Sequence, residues 1–280
     1  MFVPPTAIAA PMRPLLALLL LLLAAAPAPA ASTPWQQVAQ GVRLRLISSD
    51  SRTADGKTLV GLELDMPQSF KTYWRLPGET GIPTELDIAG STGVSSPAIK
   101  WPFPAPELTS GFLDYVYHGP TVLPVELTAT GDAPLLVAAV TMGVCSEVCV
   151  PVRARFSLPL SFAAADAGQT IRLRQAEALV PIAWDRPAPP FGAVAYDRAS
   201  RSLRLVIADP AIDSGSLIAS TSDPMVVFDT PQKSPDGQAV LLKLRGADGG
   251  LDWAKSPIQF TFMTAMGSYE VDVQVTATSP

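Results

Sequence analysis

LLVAAVTMGVCSEVCVPVRARFSLPL, residues 135–160, holds the strongest strand pattern of the chain together with both of its cysteines. Leu135 to Met142 is a continuous apolar run, long enough for a buried central strand and too short for a membrane span. Val152 to Leu160 alternates apolar and polar residues with the period of two that marks a half-buried strand, so it is expected to bring the chain back along the sheet, with Pro151 ending the pairing before it. Between the two strands lie Cys145 and Cys149, the only cysteines of the chain. Three intervening residues let such a pair close a small ring. The chain-entropy estimate for a loop of about five residues is only ~2 kcal/mol, which makes the bond a weak staple and a usable switch.

Alternating segments recur on both sides of this stretch. Val42 to Leu46, Leu59 to Met66 after an Asp55-Gly56 turn, the aromatic-rich Ser69 to Gly78 and Thr121 to Ala129 all read as strands. From Gly81 to Leu113 the prolines 83, 97, 102, 104 and 106 confine the chain to loops and short strands. Seven to nine short strands over roughly 120 residues, with little helical periodicity, point to an antiparallel β-sandwich.

Leu173, Ala176 and Val180 fall at helical spacing, and Pro187, Pro189 and Pro190 follow them, which reads as a connecting helix and linker. Further strands are expected at Ser202–Ala208, Met225–Phe228, Ala239–Leu244, Ile258–Phe262 and Tyr269–Val275, with turns at Pro235-Asp236-Gly237 and Gly249-Gly250. The fold class is therefore all-β, two immunoglobulin-like sandwiches. The expected divisions are a leader over 1–30, a first sandwich over 31–162, a helical and proline-rich linker over 163–190 and a second sandwich over 191–280.

The leader rests on Arg13 as the sole charge, an apolar run from Leu15 to Ala26 and an Ala28-Pro29-Ala30 cleavage pattern, the marks of a secretory signal peptide. No later segment has the length and apolarity of a membrane span, so none is expected in the mature chain. With 20 Lys and Arg against 25 Asp and Glu, a net charge of −5, nucleic acid is a poor partner. An exported chain meets an oxidising compartment, where two neighbouring cysteines pair unless kept reduced. A plain local disulfide is one reading of them. A copper(I) site drawn from Met142, Cys145, Cys149 and His118 is another, though a thin ligand set. Cysteine-hydrolase chemistry with His118 as base lacks a Gly-rich oxyanion turn. No metal or cofactor is expected.

Lys71-Thr72-Tyr73-Trp74-Arg75-Leu76-Pro77-Gly78 with Gly81-Ile82-Pro83, then Tyr117 and Val122-Leu123-Pro124-Val125, then Val144 to Pro151, together resemble the periplasmic N-terminal region of the DsbD/ScsB family of thiol:disulfide reductases. The C-x-x-x-C spacing before a proline is that of the ScsB branch. The resemblance covers the first sandwich well and the second loosely. It implies an immunoglobulin-like domain in the periplasm that takes electrons from a membrane-embedded DsbD/ScsB-type donor and exchanges them with thioredoxin-like proteins. It also implies Cys149 as the exchanging sulfur and Cys145 as the resolving one. Without the family's transmembrane and C-terminal thioredoxin-like domains, the chain is expected to act in trans, or to serve as a non-catalytic binding module with a structural disulfide on the same scaffold.

The family's cap over the cysteines holds a Phe-Tyr pair, and the matching Leu108 to Asp114 offers only Phe112. Phe112 and Tyr117 are expected to shield the pair, with Tyr73 and Glu147 as further accessory residues. Glu147, between the sulfurs, opposes thiolate formation by like-charge repulsion. Such a thiol reacts sluggishly until a partner surface activates it.

Overall fold

A computed structural model of the protein describes Met1 and residues 31–163, 165–247, 250–253 and 255–277. Apart from Met1, the leader expected over residues 1–30 lies outside the described residues, as does the Gly249 half of the expected glycine turn.

In the first half the alternating segments become β1 (Gln36–Ala39), β2 (Val42–Arg52), β3 (Lys57–Asp65), β4 (Lys71–Gly78), β5 (Glu85–Asp87), β6 (Val94–Ile99), β7 (Ala105–Thr109), β8 (Phe112–His118), β9 (Thr121–Ala129), β10 (Leu135–Cys145) and β11 (Cys149–Pro159). One sheet has the order β1-β2-β3-β9-β6, and the other the order β11-β10-β4-β8-β7 with β5 alongside β10. The core between them takes every second residue of β10, namely Leu136, Ala138, Val140, Met142 and Val144, and of β11 Val152, Ala154, Phe156 and Leu158. The Val, Leu, Met and Phe side chains among them each contribute roughly 1.5–3 kcal/mol. Up to Met142 the other face of β10 is half-buried, and from Met142 to Cys145 the strand is buried throughout.

Pro151 does not end the pairing as expected. The β10–β11 register runs unbroken from Leu135 opposite Pro159 to Cys145 opposite Cys149, with Pro151 opposite Gly143. The reason lies in β11 being an edge strand. The Arg155 carbonyl accepts a bond of 2.8 Å from the Gln36 side chain, so it faces away from β10. In an antiparallel ladder both polar groups of a residue point the same way and alternate along the strand. Pro151 and Cys149 share the parity of Arg155, so the missing N–H of Pro151 would have faced the open edge and no ladder bond is lost.

The helix α1 (Ala167–Glu177) begins where the Asp166 carboxylate accepts from the Gln169 amide at 2.8 Å. It buries Leu173 and Ala176, and Thr170 donates to the Ser49 carbonyl at 3.2 Å, which docks it on the first pair of sheets.

The second half holds β12 (Ile182–Ala183), β13 (Phe191–Asp197), β14 (Ser202–Ile207), β15 (Ile212–Ser220), β16 (Val227–Phe228), β17 (Gln232–Lys233), β18 (Val240–Arg245), β19 (Ile258–Thr264), β20 (Gly267–Val273) and β21 (Thr276–Ala277). They form sheets ordered β12-β20-β19-β15 and β16-β18-β14-β13-β21, with β17 alongside β18. The pairs β12/β20 and β13/β21 are parallel, a departure from a wholly antiparallel fold. β13 and β15 are absent from the strands read in the sequence, because Gly192, Gly215 and their small neighbours blur the alternation. The second core is aromatic: Phe191 packs edge-on to Phe260 and Phe262, and Tyr196 stacks on Trp253 at 3.7 Å.

The two pairs of sheets are packed together. Ile218 and Val227 of the second half join the core of the first. Arg75 of β4 lies over the Trp74 ring at 4.1 Å and bonds to Ser220 and Thr261 at 3.4 and 3.2 Å.

Candidate redox site

Cys145 and Cys149 are cross-strand partners at the tip of the β10–β11 hairpin and are joined by a disulfide, with Cα atoms 4.0 Å apart. Ser146, Glu147 and Val148 form the tip, closed by a bond from Ser146 N–H to the Val148 carbonyl at 3.3 Å. The two sulfurs sit in unlike surroundings: Cys145 is fully buried and Cys149 is exposed. Exposed Val148 and Val150 flank Cys149, and the backbone of Cys149 faces the open edge by the parity described above.

Tyr73 organises the buried side. Its hydroxyl lies 2.8 Å from Cys145 Sγ and 3.1 Å from Cys149 Sγ. Disulfide sulfurs carry no proton, so the phenol donates. Burial first, and then the charges of Asp114 and Glu107, push the Tyr73 phenol up to about 12, which keeps it a donor at any physiological pH. With Val116 and Cys145 it forms a small buried cluster on the outer face of the sheet.

The ring fits because its neighbours are glycines. A Cβ on Gly143 would stand 3.0 Å from two ring carbons and 2.7 Å from Ile82 Cβ, and one on Gly81 would stand 2.6 Å from the opposite ring edge. Thr80, between the Pro77-Gly78 turn and Gly81, donates from its N–H and hydroxyl to the buried Asp114 carboxylate at 2.9 and 2.6 Å. Around this segment Lys71 pairs with Glu107 and lies 3.8 Å from Asp114, and His118 Nε2 lies 2.8 Å from Glu107. Burial would push the Glu107 carboxyl up, but the Lys71 ammonium donating to it, helped by Thr109 and His118, holds it below its ordinary value. Lys71, the cross-strand neighbour of Cys145, is thus matched by carboxylates.

Of the residues singled out in the sequence, Cys145, Cys149 and Tyr73 come together. Glu147 is exposed in the hairpin tip. Tyr117 lies in the sandwich core, its hydroxyl donating to the Pro102 carbonyl at 2.7 Å, so it does not shield the sulfurs. Its alternation with Val116 turns it to the opposite face. Phe112 pairs with Thr109 near the tip of the β7–β8 hairpin, at the far end of β8 from His118, and is half-exposed. Met142 also belongs to the core, on the face of β10 opposite Cys145, which separates two members of the copper set. Thr80, Asp114 and Lys71 were not read as site residues. The Pro77-Gly78 turn shows that the chain reverses there and not what it reverses onto.

A bonded pair with one accessible sulfur, one buried sulfur and a phenol donor touching both has the geometry for a thiolate to attack the accessible sulfur and expel the buried one. Residues 43–161 match the family model described as thiol:disulfide interchange protein DsbD, N-terminal. In fold the chain is similar to the crystal structure of the N-terminal periplasmic domain of ScsB from Proteus mirabilis, with a TM-score of 0.68 and 24% identity over 88% of this chain and 99% of that one. No curated protein sequence matches the chain. Among the described residues no helix is long and apolar enough to cross a membrane.

Proposed function

We propose that the protein is an exported, periplasmic thiol:disulfide interchange protein that carries electrons through Cys145 and Cys149 between a membrane-embedded DsbD/ScsB-type donor and thioredoxin-like proteins. The observation that carries this reading is the asymmetry of the pair, an exposed Cys149 bonded to a buried Cys145 that the Tyr73 hydroxyl contacts.

The exchange follows from that asymmetry. A donor thiolate attacks Cys149 Sγ, the sulfur it can reach; the new bond joins donor and Cys149, and the bond to Cys145 breaks. The electron pair leaves on Cys145 as a thiolate, and the Tyr73 O–H bond to it becomes charge-assisted, offsetting part of the desolvation cost of a buried anion. The donor's second thiolate then attacks its own sulfur in the mixed disulfide, releasing Cys149 as a thiolate and leaving the donor oxidised. Solvent protons complete the dithiol. Two electrons and two protons have been gained, and the same steps in reverse deliver them to an oxidised partner. In this division of labour residues 31–162 perform the exchange, while 191–280, beyond the 163–190 connector, support it.

Trapping tests the assignment. With a thioredoxin-like partner present, Cys145→Ser is expected to accumulate a mixed disulfide through Cys149 on a non-reducing gel, and Cys149→Ser to accumulate little. The reverse pattern would overturn the roles of the two sulfurs, and no trapping by either variant would overturn the function.

A further inference from the structure

The segment from Gly78 to Ile82 lies across the outer face of the β4–β8 sheet, and its anchoring reaches into the second half of the chain. Gly78 has a φ of +93°, and a Cβ there would stand 2.3 Å from the Leu113 carbonyl, so only glycine lets the turn close onto β8. The next residue, Glu79, is bound from both sides. Its N–H donates to the Leu113 carbonyl at 3.0 Å, and its carboxylate accepts from the Leu113 N–H at 2.7 Å. That same carboxylate oxygen accepts from Arg245 Nε at 2.7 Å. Arg245 ends β18, and its guanidinium also donates to the Gly111 carbonyl and lies 3.3 Å from Asp229. One residue on, Thr80 is bonded to Asp114, and Gly81 and Ile82 then cover the Tyr73 ring and Gly143.

We propose that Arg245, Glu79, Thr80 and Asp114 are positioning residues for the interchange: the second sandwich, through Arg245, holds the Gly78–Ile82 segment so that the Tyr73 hydroxyl stays on Cys145 Sγ as that sulfur leaves. The proposal rests on the pair being the exchanging centre and adds a reason for the second sandwich. A phenol pressed between Gly81 and Gly143 keeps its position only while Gly81 does. Glu79 and Thr80 are the bonded residues just before Gly81. None of the four touches a sulfur, so each acts through Tyr73.

The test is a double-mutant cycle on the rate of reduction of the oxidised full chain by dithiothreitol at fixed pH, where thiolate attack on exposed Cys149 expels Cys145. Loss of a hydrogen bond to a charged group is expected to slow Tyr73→Phe about tenfold or more. Arg245→Gln, Glu79→Gln and Thr80→Val are each expected to slow the wild-type protein about threefold, and to have no further effect in the Tyr73→Phe background. Arg245→Lys, which keeps the ion pair with Glu79, is expected to recover part of the rate. Unchanged rates, faster rates or equal effects with and without the phenol would overturn the proposal. If Arg245→Gln fails to fold, Thr80→Val carries the same comparison from within the first sandwich. Dithiothreitol needs no protein partner, so a failure to trap thioredoxin-like proteins would count against the function and leave this cycle readable.

Discussion

Gly143 and the Tyr73 ring occupy one space: the ring lies where a side chain on β10 would project, two residues before Cys145. Both residues sit on the outer face of the sheet, where the phenol can span from β4 to the hairpin tip.

Gly143→Ala is therefore expected to destabilise the fold by about 1–3 kcal/mol, the usual cost of inserting a methyl group into a filled site. It should also slow disulfide reduction, since the ring must shift off the sulfurs. Thermal melts and reduction kinetics on one preparation check both. An alanine variant with wild-type stability and rate would mean that Ile82 and Tyr73 yield without consequence.

Alkaline titration reads the phenol directly. Tyr73 is raised in the folded state to about 12 from an ordinary 10, so folding favours its protonated form. That contribution is whole below pH 10 and is lost as the pH rises from 10 to about 12. In an ultraviolet titration of the folded protein, Tyr73→Phe should remove one phenol from the late phase, above pH 11. Loss of an early-titrating phenol instead would contradict the burial of the hydroxyl.

Reduction of the disulfide should leave the fold standing. The bond closes a loop of about five residues, worth ~2 kcal/mol in the unfolded chain, or at most about 8 °C in Tm for a protein of this size. The β10–β11 ladder, paired along its whole length, holds the hairpin without it. Calorimetry with and without reductant checks this, and a larger drop would make the bond a structural staple.

Much of the site was legible before the structure. The apolar run of β10, the alternation of β11 and the cysteine spacing depend on neighbours in the chain, so a local pattern suffices to read them. The strands β13 and β15 were not legible, because small and glycine residues there leave packing to partners distant in the chain.

Which aromatic residue meets the sulfurs was likewise beyond the sequence. Tyr73 pairs with Val116, and so shares the outer face with it, while Tyr117, one residue along, is turned into the core. A register of β8 one residue different would turn Tyr117 to the outer face and Val116 into the core, and only long-range strand pairing sets that register.

The all-β class, the β10–β11 hairpin and a cysteine pair able to close a small ring follow from periodicity and from short chain distances. The environment of that ring depends instead on contacts between distant parts of the chain. The burial of Cys145, the phenol on its sulfur and the reach of Arg245 to Glu79 join residues 72 and 166 positions apart. Such contacts exist only once the sheets have packed, because hydrophobic burial, which is non-directional, sets that packing and leaves no local trace in the chain.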